Sequence, residues 1–235
     1  MSNSRRILET LIILVLAVSA STVDVFAQDK EVRDAKKIAD KATKALNEVM
    51  AIPADAIPEA LIKRAKAVAV FPDVLKAAFV FGGSGGKGLI TRRVGDGWSA
   101  PAVFNMGGGS FGAQIGASST DYVMLFMTDD SLASLLQDRF EIGGEASVAA
   151  GPVGRTAKAS TDAQLKAGIL SYSRSKGLFA GVSLSGAVIN PDNNANRALY
   201  SLTAKEILTG PDKVPVSSVP PATRGFQEAV TRHAL

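Results

Sequence analysis

Between residues 67 and 186 the sequence is a series of short apolar runs separated by glycine. Ala67-Val68-Ala69-Val70-Phe71 and Ala77 to Phe81 come first. Gly88–Val94, Trp98–Phe104, Ser110–Gly116, Tyr122–Met127, Glu145–Ala150, Arg155–Ala159, Ile169–Ser173 and Leu178–Leu184 follow. Runs of this length suit strands and are too short for core helices. Glycine inside such runs marks bends and bulges where a sheet curls. The pattern predicts an α+β protein: an antiparallel β-sandwich or curled barrel with N-terminal and peripheral helices.

The helices are expected in three places. Val32, Ala35, Ala39, Ala42, Leu46 and Val49 recur at steps of three and four, so residues 29–50 read as an amphipathic helix. Its apolar stripe is mostly alanine, which favours packing on the domain over burial in lipid. Pro58 can open a short helix from Glu59 to Lys66. Asp129-Asp130-Ser131 is a start signal for a helix through Arg139. Residues 211–235 carry Pro211, Pro215, Pro220 and Pro221, and are expected to form an extended, loosely held tail.

The first residues have another character. Arg5 and Arg6 precede the apolar segment Leu11–Val18, and Val25-Phe26-Ala27 offers a cleavage site. This is the pattern of a secretory signal peptide over residues 1–27; the apolar core is shorter than the ~20 residues that span a bilayer. An uncleaved anchor is the alternative. The expected organisation is thus a leader at 1–27, a helix and linker at 28–56, a domain at 57–210 and a tail at 211–235. A periplasmic or secreted location follows, and the absence of cysteine removes disulfides, thiolate metal sites and a lipoprotein anchor. The net charge of +4 is too small to argue for nucleic acid.

Several catalytic patterns occur without their context. Gly83-x-Gly85-x-x-Gly88 and Gly107-x-Gly109-x-x-Gly112 match a dinucleotide fingerprint, but the residues after each read as strand, not as the helix whose N-terminus holds pyrophosphate. Gly82-x-Ser84-x-Gly86 matches a nucleophile elbow, yet the single histidine, His233, lies three residues from the chain end. Asp192-x-Asn194-x-Asn196 begins like a calcium loop, with Arg197 in place of the required glycine. No enzymatic activity, cofactor or metal is expected.

The segment Ser171–Gly186 is the most informative. Arg174 and Lys176 form a cationic, hydroxyl-rich rim. Beyond Gly177, the alternation of Leu178, Ala180, Val182 and Leu184 reads as one face of a half-buried strand. This segment, with Ala65–Pro72, Gly85–Gly88, Gly97–Pro101, Gly109–Gly116, Ser147–Arg155, Asn196 and Tyr200, resembles the SYLF-domain family over about residues 57–200. That family comprises lipid-binding domains of bacterial secreted and eukaryotic phosphoinositide-binding proteins, and its fungal relatives bind actin. The resemblance implies a non-enzymatic domain that binds anionic phospholipid or a membrane surface.

The candidate lipid-binding residues are Lys87, Arg92, Arg93, Arg155, Lys158, Arg174 and Lys176. Arginine and lysine, with backbone N–H groups of glycine-rich turns, are the groups that meet phosphate. Arg155, Arg174 and Lys176 rank highest because they sit in family-like motifs. The other reading is a structural or protein-interaction module of the cell envelope with its cations scattered over the fold. An actin role is not expected for a chain without SH3 or FYVE modules that works outside a cytoplasm.

Overall fold

The computed structural model describes residues 28–51, 56–78, 81–111, 116–154, 166–210 and 212–234, by backbone alone at 77–78, 81–82, 109–111 and 116–117. Its centre is strand β1 (Ala67–Ala78). Ala67, Val68, Ala69, Val70 and Phe71 are all at 0% exposure. A strand normally hides alternate residues; an unbroken apolar run is what a strand needs when both faces are covered.

The sheet is ten-stranded and in the order β6-β10-β4-β2-β1-β5-β8-β7, with β3 added to β2 and β9 to β8. The remaining strands are β2 (Phe81–Val94), β3 (Gly97–Trp98), β4 (Ala102–Phe111), β5 (Gly116–Phe126), β6 (Phe140–Glu141), β7 (Val148–Ala150), β8 (Ile169–Ser175), β9 (Leu178–Gly181) and β10 (Val188–Pro191). Pairing is antiparallel except between β7 and β8. The α+β expectation holds. Of the two forms foreseen, the chain takes the curled one, a single sheet bent into a half-barrel.

Helices cover the two faces. On one lie α1 (residues 28–50), α2 (Glu59–Arg64) and α6 (Pro221–Ala234), against Val68, Val70, Leu89, Val103, Val123 and Leu125. On the other lie α3 (Asp129–Leu135) and α5 (Ala204–Thr209), against Ala69, Phe71, Ile90, Phe104, Met124 and Phe126. Helix α4 (Asn193–Tyr200) follows β10. The alanines of α1 at 35, 39, 42 and 45 are all buried, so the helix lies close on the sheet as expected. Its outer face is laced by Lys36–Asp40 and Lys37–Asp34 pairs.

Close approach also requires two glycines. A Cβ on Gly151 would lie 2.0 Å from the Tyr172 ring, and one on Gly181 would lie 2.0 Å from the Gly151 carbonyl oxygen. The Tyr172 ring is also stacked on Phe179, with ring centroids 5.5 Å apart. Gly151 and Tyr172 thus owe their places among the family-like motifs to packing.

Three expectations need correction. Residues 211–235 are not an extended tail: after a 3₁₀ turn at Val216–Ser218, Pro221–Ala234 is a helix that buries Phe226, Ala229 and Val230. Pro221 opens that helix, because proline is tolerated in a first turn, and the i, i+3, i+4 stripe of apolar residues decides the rest. Leu178, Ala180, Val182 and Leu184 do not form a half-buried face. The chain turns at Lys176-Gly177, β9 is only four residues long, and Leu178 is 79% exposed while Phe179 faces the core. Finally, α3 ends at Leu135 and is capped by Thr128, whose hydroxyl oxygen accepts from the Ser131 N–H at 3.2 Å. The expected strand at 155–159 lies outside the described residues, as do the leader at 1–27 and most of the linker.

If α6 belongs to the core, Phe226→Ala should lower unfolding free energy by about 3–5 kcal/mol, measured by urea denaturation. A loosely held tail would give almost no change.

Candidate functional site

The described cations singled out in the sequence are placed at separate points of the fold, and most have protein partners. Lys87, on β2, donates to Asp192 at 2.6 Å. This hydrogen bond, and the charge of Asp192, raise the Lys87 pKa above its usual value against the desolvation that opposes it. Asp192 also accepts from the Ala195 N–H as the N-cap of α4. The calcium-like segment is therefore a helix start, tied to β2 by one ion pair. Asn196 completes the tie, accepting from Val103 N–H at 2.8 Å and donating to its carbonyl at 2.9 Å. Tyr200 donates to the Pro101 carbonyl at 2.7 Å.

Arg92 and Arg93 are helix caps. Arg92 donates to the carbonyl of Leu208 in the last turn of α5 at 3.2 Å. Arg93 donates to the Ile62 and Ala65 carbonyls at the end of α2, at 3.1 and 3.0 Å. Its guanidinium lies 4.3 Å from the Trp98 ring centroid. Cations at helix C-termini satisfy orphan carbonyls and complement the dipole.

Arg174, on β8, is held by two carboxylates. It donates to Asp121 at 3.1 Å and contacts Glu48 of α1. Asp121 in turn accepts from the backbone N–H of Asp73 at 2.9 Å. Asp73 sits at a bulge in β1 with φ +49°, a left-handed conformation uncommon for a residue with a side chain, and pairs with Lys41 at 2.8 Å. The Lys41 ammonium holds the Asp73 carboxyl below its usual pKa. This network fastens α1 across the sheet.

Lys176 differs. With Gly177 it forms the two-residue turn of the β8–β9 hairpin, at φ +50° and +80°. Positive φ at both positions is the geometry such hairpins favour, and glycine accepts it freely. Lys176 is exposed and has no ion pair among the described residues. Arg155 and Lys158 lie outside the described residues.

Lys176 has neighbours that sequence reasoning missed. The β1–β2 and β8–β9 hairpins and the neighbouring ends of β4 and β5 lie at the same end of the sheet: Ala78 pairs with Gly82 and Gly116, Phe81 with Phe111, and Ser175 with Leu178. Leu75 is 63% exposed there and Leu178 79%, each within two residues of an exposed lysine, Lys76 and Lys176. Ser118 and Ser119 are exposed between them, and a polar cleft of about 490 Å³ opens beside Lys176 and Arg174. The Lys-Gly turn and the Leu75-Lys76 pair were the available signals.

The catalytic patterns stay empty of their chemistry. Gly82 to Gly88 lie inside β2, where Ser84 donates to the Gly108 carbonyl. His233 bonds to Asn47 of α1 at 2.9 Å. Among the described residues no group of three or more His, Cys, Asp or Glu is placed to hold a metal, and no helix is long and apolar enough to cross a membrane.

A family described as Ysc84, a Las17-binding protein actin regulator, matches residues 107–233. Protein YSC84 of Saccharomyces cerevisiae is 41% identical over 170 residues, 70% of this chain and 36% of that protein. LAS seventeen-binding protein 3 of the same species is 43% identical over 160 residues, 66% of this chain and 35% of that protein. The human SH3 domain-containing YSC84-like protein 1 is 34% identical over 184 residues, 74% of this chain and 54% of that protein. The chain belongs to the Ysc84 family, the SYLF-domain family that its motifs resemble. It spans between about a third and a half of the length of these relatives. The family match runs through α6, so that helix is part of the family domain.

Lys87→Ala should destabilise the protein by about 1–3 kcal/mol, because it strands a nearly buried carboxylate, whereas Lys176→Ala should stay within about 0.5 kcal/mol of the parent; thermal and urea unfolding distinguish them. His233 gives a second test. Desolvation first, then Arg232, lower its pKa below 6.5, with Glu59 opposing. The unfolded state therefore binds more protons as pH falls through 6.5, and stability should drop as it does so. His233→Gln should flatten that part of the stability–pH curve.

Proposed function

We propose that the protein is an exported, non-enzymatic module that binds anionic membrane surfaces through the hairpin end of its sheet. One observation carries this reading: Lys76 and Lys176 are exposed and free of ion pairs among the described residues at that end. Lys87, Arg92, Arg93 and Arg174 are occupied by protein partners. The lipid contact proposed here thus keeps Lys176 from the sequence-derived set and adds Lys76. Export is supported by the leader pattern of Arg5, Arg6 and Leu11–Val18. The lipids that fit are anionic phospholipids such as phosphatidylglycerol or cardiolipin.

The test is co-sedimentation with phosphatidylglycerol-containing and pure phosphatidylcholine vesicles at low and high salt. Binding should require the anionic lipid and weaken with salt. Each lysine near an anionic surface contributes about 1 kcal/mol, so Lys76→Ala and Lys176→Ala should each weaken binding about fivefold. Equal binding to both vesicles, or none to either, overturns the reading.

A second reading is favoured by the family description, which names a Las17-binding actin regulator. In that reading the same domain is a protein-interaction module. It predicts that vesicles are ignored while a partner protein is retained by the full chain and released by substitutions at its docking face.

A further inference from the structure

We propose that the cleft between β3, the 3₁₀ turn and α6 binds a small, flat apolar carboxylic acid. The ligand's body lies against Trp98 and Val216, and its head group meets the Trp98 indole N–H and Arg232. The site is independent of the lipid-binding reading. Gly97 and Trp98 pair with the last residues of β2, whereas the β1–β2 hairpin lies at the other end of that strand.

The cleft has a volume of about 500 Å³, inside the range of roughly 300–1,000 Å³ that takes a small molecule. The fold already holds its wall rigid. β3 is two residues long and is fixed by the Arg93–Trp98 and Val94–Gly97 pairings. The Trp98 carbonyl accepts from Gln227 of α6 at 2.8 Å, and the Arg93 guanidinium covers the Trp98 ring at 4.3 Å. Arg93 is itself anchored on two carbonyls at the end of α2. A wall that needs no ordering by its ligand leaves more of the contact energy as affinity.

Two groups in this cleft lack the partner their chemistry calls for. Trp98 is only 4% exposed, yet its indole N–H has no acceptor among the described residues. That N–H is not sealed in the core, so it belongs to the small part of Trp98 that reaches solvent, and Trp98 lines the cleft. A largely buried indole normally finds an acceptor. The second group is Val216. It is 67% exposed at the start of the 3₁₀ turn, while Val219, at the end of the same turn, is fully buried. An apolar body in the cleft covers it.

The rim decides the head group. Arg232 and Glu228 stand one turn apart on α6, both line the cleft, and both are exposed without an ion pair among the described residues. The guanidinium offers a planar fork of donors that suits a carboxylate. With the indole N–H it makes a pair of donors for one oxygen-bearing group. Glu228 can only accept, so a carboxylate sits at the Arg232 side, and a ligand with charge at both ends is disfavoured. A plain hydrocarbon leaves the indole N–H unmet. A compact apolar carboxylate satisfies the N–H, the guanidinium and Val216 together.

The chain has one tryptophan, so one indole N–H resonance and one emission signal report on the site. The full chain, without vesicles, is titrated with 1-naphthoate and separately with 1-naphthalenemethanol, which has the same body and no charge. Naphthoate should shift the indole N–H resonance and quench Trp98 saturably, with half-saturation at about 1 mM or below. Naphthalenemethanol should bind about tenfold more weakly. Arg232→Gln should remove that difference by weakening naphthoate alone, and Val216→Ser should weaken both about fivefold. Both side chains are exposed, so neither variant disturbs the core. No saturable shift with naphthoate overturns the site and leaves lipid binding standing. Equal binding of the two probes, or naphthoate binding unchanged by Arg232→Gln, overturns the carboxylate assignment.

Discussion

Everything in this fold depends on a strand that has no solvent face. From Ala67 to Phe71, β1 is closed by β2 and β5 at its edges and by helices above and below. Val68 and Val70 face the α1 side, and Ala67, Ala69 and Phe71 face the α3 side. At about 25 cal/mol per Å² of apolar surface, burial on two faces is the largest favourable contribution available to a chain of this size without disulfides. The helices are held in place for that reason, and the cations that fasten them serve the same end.

That division explains why charge in the sequence was a poor guide to which cations stand free of protein partners. Arg92 and Arg93 are adjacent in sequence and cap different helices, α5 and α2. Lys87 and Asp192 are 105 residues apart, and Arg174 and Asp121 are 53 apart. Periodicity reveals a cation but not the carboxylate or carbonyl that the fold brings to it. The Lys176-Gly177 pair between two apolar runs is itself a turn signal, although the sequence reading took it as a rim before a strand. Leu178 was misread for the same local reason: alternation shows which residues share a face and leaves open whether that face is covered.

Much of the architecture was legible. Glycine-broken apolar runs identified most of the strands, and the alanine stripe placed α1 on the domain. The misses follow from rules that compete locally. Proline density outweighed the Phe226, Ala229, Val230 stripe of α6, although Pro221 is a helix opener. Asp192 drew notice only as the start of a calcium-like segment, and its actual role as an N-cap gave no apolar periodicity to reveal α4, whose buried residues are only Ala195 and Asn196. Asn196 replaces a neighbouring strand by bonding both backbone groups of Val103. Nothing short of the fold indicates that.

The late position of α6 has a kinetic meaning. The core on its side of the sheet draws on residues from Ala35 to Ala234, almost the whole described length. Such a core has high contact order: loop-closure entropy must be overcome before distant segments reward one another, and folding is correspondingly slow. During synthesis the first helix waits for the last, with β1 exposing apolar surface in the interval. A chain built this way completes that side of its core only when α6 is in place.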